Sequence, residues 1–100
     1  MAFKVVVTED ANQDLAELVL YIAQDNQPAA ERFGFALLDK IKILENHPFL
    51  GRIVPERDDP TLREIIHPPY RVVYRVYQDR QLIEVLRFWH GARGELKLRR

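Results

Sequence analysis

The second half of the chain holds three strand-like runs joined by connections too short for a crossover. The runs are Leu62–His67, Tyr70–Tyr77 and Gln81–His90, and β-branched and aromatic residues, which favour strands, dominate them. Only Pro68–Pro69 and Gln78–Arg80 separate one run from the next. Because parallel neighbours need a crossover of about a dozen or more residues, the three strands are predicted to pair antiparallel.

The first half predicts one short strand followed by two amphipathic helices. Phe3–Val7 is the strand, and Thr8 is a suitable N-cap for a helix that ends near Asp25–Asn26. A second helix begins near Pro28, and the short connection makes the two helices an antiparallel hairpin. Its buried stripe is predicted to consist of Ala30, Phe33, Leu37, Ile41 and Leu44. The order βααβββ predicts an α+β fold, with an antiparallel sheet and the helical hairpin packed on one face.

The length of 100 residues indicates a single domain. We assign residues 1–94 to this domain and interpret 95–100 as a basic C-terminal tail, ordered only when something binds it. No apolar run approaches the roughly 20 residues of a membrane span, and no signal peptide is visible. We therefore expect a cytoplasmic protein that does not contact a membrane.

Composition excludes several kinds of chemistry. The chain has neither cysteine nor serine, so disulfides, thiolate metal sites and serine or cysteine nucleophiles are absent. The three histidines, His47, His67 and His90, lack the spacing of metal ligands, and we expect neither a metal nor a cofactor.

Charge is divided unevenly along a chain whose net charge is zero. Residues 1–50 carry four Lys and Arg against eight Asp and Glu, and residues 51–100 carry eleven against seven. The basic half could offer one face to an acidic partner. A dedicated nucleic-acid binder, however, usually has a clear positive excess.

The middle strand separates its side chains into two unlike faces. Alternation places Arg71, Val73, Arg75 and Tyr77 together, on the face opposite the helices. This face is either a solvated surface, with Arg87 or Glu84 pairing across strands, or a binding surface.

The last strand is apolar on both faces, with Ile83 and Val85 on one and Leu86 and Phe88 on the other. That pattern predicts a central strand or an outer face covered by a partner. Trp and Arg are favoured anchors at protein interfaces. The candidate binding residues are therefore Arg71, Arg75, Tyr77, Arg87, Trp89 and Arg93.

Four stretches of the chain resemble the RelE/ParE superfamily of toxins from bacterial type II toxin–antitoxin (plasmid stabilisation) modules. They are DLAELVLYIAQDNQPAAERF from Asp14, HPFLGRIVPE from His47, REIIHPPYRVVYRV from Arg63 and IEVLRFWHGAR from Ile83. The resemblance extends from Phe3 to about Gly94. It implies a growth-inhibiting toxin whose partner is a cognate antitoxin that wraps it, and a homodimer is a further possible assembly.

The superfamily implies two mechanisms. ParE-like members inhibit DNA gyrase by binding, and RelE-like members are ribosome-dependent mRNA endoribonucleases. A degenerate member would bind its antitoxin without being toxic. Attack by the 2′-OH of RNA needs a base, an acid and cations for the phosphate, and no protein nucleophile.

Under the RelE-like mechanism the catalytic residues would be His90, Arg71 and Arg75. A histidine near the end of the last strand is functional in the histidine-using nucleases that the chain resembles, and His90 matches that position. Against this, the HGAR sequence fits ParE-like members equally well. The chain also has no lysine between Lys42 and Lys97, and its net charge of zero suits RNA poorly. We favour the ParE-like mechanism and keep the nuclease as the alternative.

Overall fold

The computed structural model describes residues 2–98 and contains two helices packed on a five-stranded sheet. The strands are β1 (Lys4–Val7), β2 (Arg52–Ile53), β3 (Leu62–His67), β4 (Tyr70–Tyr77) and β5 (Leu82–His90), and the helices are α1 (Glu9–Ala23) and α2 (Gln27–Ile43). The strand order is β1-β5-β4-β3-β2. The predicted α+β fold, with the helical hairpin on one face, is confirmed.

The sheet is mixed, which corrects the prediction of a purely antiparallel one. Strands β2 to β5 are antiparallel neighbours, as the short connections require. Strand β1 instead lies parallel to β5, with Lys4 opposite Leu82 and Val7 opposite Val85. The helical hairpin and three further strands separate the two in sequence, so the steric argument from short connections does not apply to them.

Both helices begin at side-chain caps that the sequence provides. The Thr8 hydroxyl accepts a hydrogen bond from the Ala11 N–H at 3.3 Å and donates one to the Val85 carbonyl at 2.9 Å. The Asn26 side chain accepts from the Ala29 N–H at 3.0 Å, and Pro28 occupies the first turn of α2. Because Thr8 bonds to both α1 and β5, it fixes the start of the helix against the sheet.

A β-bulge changes the faces of the last strand. Val73 lies opposite Arg87 and Tyr74 lies opposite Val85, so Leu86 is an extra residue in β5. Phe88 therefore joins Val85 in the core beneath the helices, and Leu86 packs on the other face. The predicted pairing of Leu86 with Phe88 on one face is wrong, because strict alternation does not allow for the inserted residue.

The face of the sheet away from the helices, called here the open face, carries a second small core. Its buried members are Val54, Leu62, Val73, Trp89 and Leu96. Leu96 is only 2% exposed, and Leu98 packs beside it. The prediction that the tail is ordered only when bound is therefore wrong for residues 95–98. Arg99 and Arg100 lie outside the described residues.

We expect Leu37→Ala to lower the free energy of unfolding by about 2–5 kcal/mol, because the side chain is fully buried among Tyr74 and Val76. The matched control is Leu38→Ala on the same helix, where the residue is 43% exposed. Urea unfolding followed by circular dichroism measures both. A Leu37 variant no less stable than the Leu38 variant would show that this helix face does not form the core.

Candidate functional site

Arg71 is enclosed by two carboxylates on the open face. Its guanidinium donates to both Glu56 oxygens at 2.8 and 2.6 Å and to Glu64 at 2.7 Å. Its side chain is 14% exposed, and Glu64, which is fully buried, also accepts from Arg52 at 2.7 Å. The Arg71 hydrogen bonds lower the pKa of Glu56 to about 2. This predicted site residue therefore stabilises the fold.

Arg75 and Tyr77 are also bound to carboxylates of the same chain. Arg75 binds Asp59 at 2.8 Å, and the hydrogen bonds that Asp59 receives from Thr61 and from Arg75 lower its pKa to about 2. The Tyr77 hydroxyl donates to Glu84 at 2.9 Å, and burial, with that carboxylate, raises its pKa. Arg75 retains some exposure, and both residues line an open cavity of about 310 Å³ on this face.

Arg87 binds the carboxylate of Asp14, which is not among the site residues predicted from the sequence. Both Asp14 oxygens accept from the Arg87 guanidinium, at 2.7 and 2.8 Å, and Asp14 also accepts from the Phe88 N–H at 3.0 Å. Asp14 is nearly buried and ties α1 to β5. Its position on the apolar side of α1, between Ala11 and Leu18, is the sequence signal that would have identified it.

Trp89 is buried, which corrects its assignment as a contact residue. It is 2% exposed, and its indole N–H donates to the Gly94 carbonyl at 3.1 Å. The Arg93 guanidinium covers the ring at 4.0 Å and the Arg87 guanidinium lies 4.9 Å from it. Arg93 is exposed and has no ion-pair partner among residues 2–98. The surface at the end of β5 is therefore formed by Arg93 rather than by the tryptophan.

His90 lies on the helix side of the sheet, apart from Arg71 and Arg75. Its Nδ1 accepts from the Ala92 N–H at 3.0 Å, and its ring meets Tyr70 edge to face at 5.0 Å. The predicted catalytic set of His90 with these two arginines is therefore not brought together. His90 instead shares a cavity of about 300 Å³ with Arg93, Tyr21 and Tyr70.

We expect the protein to lose stability as the pH falls from about 4.5 to about 2. The pKa values of Glu56 and Asp59 are both lowered to about 2 from ordinary values of 4.5 and 3.8. A lowered pKa in the folded state contributes stability above the ordinary pKa, and that stability is lost as the carboxylate is protonated. Glu56→Gln should therefore be less stable than the parent at pH 7 and nearly equal to it at pH 2. An equal difference at both pH values, in thermal unfolding, would contradict this assignment.

Neither a metal site nor a membrane span is found among the described residues. No group of three or more His, Asp or Glu within residues 2–98 could hold a metal ion. In that same range, no helix is long and apolar enough to cross a bilayer.

The two-helix hairpin packed on a five-stranded sheet matches the fold of solved structures from type II toxin–antitoxin modules. The chain belongs to this class, in the family described as the ParE toxin of the type II toxin–antitoxin system parDE, whose model matches residues 5–94. The resemblance seen in the sequence is thereby confirmed.

Individual relatives carry both family names. The chain is 33% identical over 95 residues to Toxin RelE1 of Caulobacter vibrioides. The matched region covers 91% of this chain and 96% of the relative. The chromosomal ParDE system from P. aeruginosa has a TM-score of 0.71 at 20% identity, covering 89% of this chain and 96% of that one. The RelBE2 toxin–antitoxin complex from Mycobacterium tuberculosis has a TM-score of 0.68 at 20% identity. The match covers 90% of this chain and 92% of that one. Both structural likenesses concern the fold alone.

Proposed function

We propose that this chain is a growth-inhibiting toxin that acts by binding its target, as a ParE-like inhibitor of DNA gyrase. The observation that supports this most directly is that the arginines of the open face are already paired with carboxylates. Arg71, Arg75 and Arg87 are each bound to a carboxylate of the same chain. RNA cleavage requires cationic groups that can stabilise charge on a phosphate. Arginines already paired with carboxylates are poorly suited to that task.

The surface at the end of β5 is the proposed contact with the target. Arg93 is exposed and fixed in direction by its stacking on Trp89, which in turn is held by the second core. A preoriented arginine loses little conformational freedom on binding, and arginine is enriched among residues that dominate interface energies. We therefore assign Arg93 the main binding role.

A cognate antitoxin is the proposed partner. The two structural relatives are described as a toxin–antitoxin complex and as a toxin–antitoxin system, and the family itself is defined by such a pair. Gyrase and the antitoxin are both intracellular, so we propose that the chain acts in the cytoplasm.

The RelE-like endoribonuclease remains the second candidate, because one observation favours it. His90, Arg93 and two tyrosines line a single cavity, which could supply an acid–base group beside a cation. The relative named Toxin RelE1 is consistent with either mechanism. A third candidate is a degenerate member that binds its antitoxin without toxicity.

We expect His90→Gln to keep most of its toxicity and Arg93→Ala to lose it, when each is expressed alone in cells. Glutamine keeps a polar side chain of similar reach but cannot transfer protons near neutral pH, and a general acid–base group is typically worth about 10²–10⁴ in rate. Arg80→Ala is the matched control, because Arg80 is an exposed arginine at the opposite end of β5.

The type of damage in the parent strain separates the candidates. Stalled replication with relaxed or broken DNA supports gyrase inhibition. Cut mRNA that disappears in a folded His90→Gln variant would replace the proposal with the nuclease. Unimpaired growth with abundant folded parent protein would support the third candidate, a degenerate member that binds its antitoxin without toxicity.

A further inference from the structure

The outer surface of the helical hairpin, on the side away from the sheet, holds an apolar groove between α1 and α2. We call it the hairpin groove; it has a volume of about 210 Å³ and is lined by Leu15, Val19, Ala30, Glu31, Gly34, Phe35 and Leu38. Gly34 lets the two helices approach closely here, since an added Cβ would already touch the Val19 Cγ2 at 3.4 Å. An apolar cavity of about 150 Å³ can hold benzene, so the hairpin groove has room for one aromatic side chain.

The α2 side of the hairpin groove carries two exposed apolar side chains between two opposite charges. In chain order they are Glu31, Phe35, Leu38 and Lys42, and their spacings of four, three and four residues place them on one face of the helix. All four are exposed. Within residues 2–98, the Glu31 and Lys42 side chains form neither an ion pair nor a hydrogen bond. These four residues, called here the α2 row, therefore have both their apolar and their charged groups available for a partner.

The α2 row is complementary to itself. Its order is acid, apolar, apolar, base, and its midpoint lies between Phe35 and Leu38. If a twofold axis passes through that midpoint, the α2 helix of a second copy runs antiparallel to the first. Glu31 of each copy then faces Lys42 of the other, and Phe35 of each copy faces Leu38 of the other. A single axis thus satisfies the charged and the apolar contacts together, as a homodimer with twofold symmetry requires.

We propose that the α2 row is the interface of a homodimer, in which two copies of the chain pack their helical hairpins together. Each Phe35 packs against Leu38 of the second copy and covers the hairpin groove there. Two hairpins that meet along one pair of helices bury about 1,000 Å² in total, the low end of specific interfaces, so the dimer is reversible with a Kd on the order of 10–100 µM. The open face and the end of β5 stay uncovered, so the dimer does not depend on the proposed function.

Charge reversal on the α2 row tests the register of the dimer in the purified full chain. In low salt, sedimentation equilibrium should give a monomer–dimer equilibrium for the parent. Glu31→Lys and Lys42→Glu each turn two attractive contacts per dimer into repulsive ones, and we expect each to weaken dimerisation at least about tenfold. Both positions are exposed, so neither change alters the core, and circular dichroism checks that each variant is folded.

An equal mixture of the two variants distinguishes this interface from any other. In a mixed dimer the introduced lysine faces the introduced glutamate, and the native Lys42 of one copy faces the native Glu31 of the other. Both contacts are attractive again, so the mixture should dimerise within about threefold of the parent affinity, although neither variant does so alone. The matched control is Asp79→Lys, which makes the same change of charge on the exposed turn between β4 and β5 and should keep the parent affinity.

Three results would overturn the proposal: a parent that stays monomeric up to about 1 mM, a parent dimer that Glu31→Lys leaves intact, or a mixture that associates as weakly as the single variants. The first of these would leave the α2 row to a partner of another sequence. If a charge variant fails to fold, NMR of the parent decides. On dilution the Phe35 and Leu38 signals should shift, while the signal of the Trp89 indole, buried in the second core, stays constant. Phe35 and Leu38 signals that do not change with concentration would contradict the dimer.

Discussion

Trp89→Ala should lower the free energy of unfolding by about 3–5 kcal/mol, the range for removing a large aromatic side chain from a core. The ring is 2% exposed, fills the centre of the second core and donates a hydrogen bond to Gly94. Its loss would leave a cavity in the middle of the open face. Circular dichroism in a urea titration is the appropriate measurement, because the variant contains no tryptophan for fluorescence.

Two variants define this effect. Trp89→Phe retains an aromatic ring and should cost clearly less than the alanine change, since part of the volume is kept. Phe35→Ala removes an aromatic ring that is 66% exposed and should change stability by no more than about 0.5 kcal/mol. A Trp89→Ala cost similar to that of Phe35→Ala would contradict the burial of the tryptophan. The expected size also means that lost toxicity in Trp89→Ala would report unfolding and not a lost contact.

Arg71→Ala should destabilise the protein by about 3–5 kcal/mol, the cost of removing one partner of a buried ion pair. Glu64 has no exposed side-chain surface, and Arg71 supplies one of its two cationic partners. The remaining partner, Arg52, is 60% exposed and well hydrated, so it compensates the buried carboxylate only in part.

The double variant Arg71→Met with Glu64→Leu tests the cause of that cost. Replacing both charges by apolar side chains removes the uncompensated carboxylate, and the double variant should be more stable than Arg71→Ala. Urea unfolding of the parent and the two variants gives the comparison. If the double variant is as unstable as the single one, lost packing and not the stranded charge explains the effect.

The sequence predicts the local structure well, because local structure depends on neighbours in the chain. Strict alternation in Tyr70–Tyr77 correctly separates Arg71 and Arg75 from Tyr74 and Val76. The cap at Thr8 and the proline in the first turn of α2 place both helix starts. These features need only the period of a strand or the unpaired N–H groups of a helix.

The features that the sequence does not predict depend on contacts between residues that are distant in the chain and meet only in the folded protein. The extra residue Leu86 in β5 leaves no trace in composition, yet it moves Phe88 to the other face. The carboxylates that bind the arginines come from a loop, from β3 and from α1, and no spacing rule connects Asp14 with Arg87. The position of Trp89 in β5 predicts which face of the sheet it lies on. It does not predict that Leu96 and the rest of the second core cover that face.

The pairing of β1 with β5 has a consequence for synthesis of the protein. Within residues 2–98, the first strand pairs with residues 82–85 alone, so the sheet cannot close until the ribosome has made that strand. Such long sequence separation raises contact order and slows folding, because a large loop must be closed before the pairing contributes. A nascent chain halted before β5 would expose the apolar faces of β4 and of the hairpin. Residues 82–85 must therefore be translated before the native sheet can form.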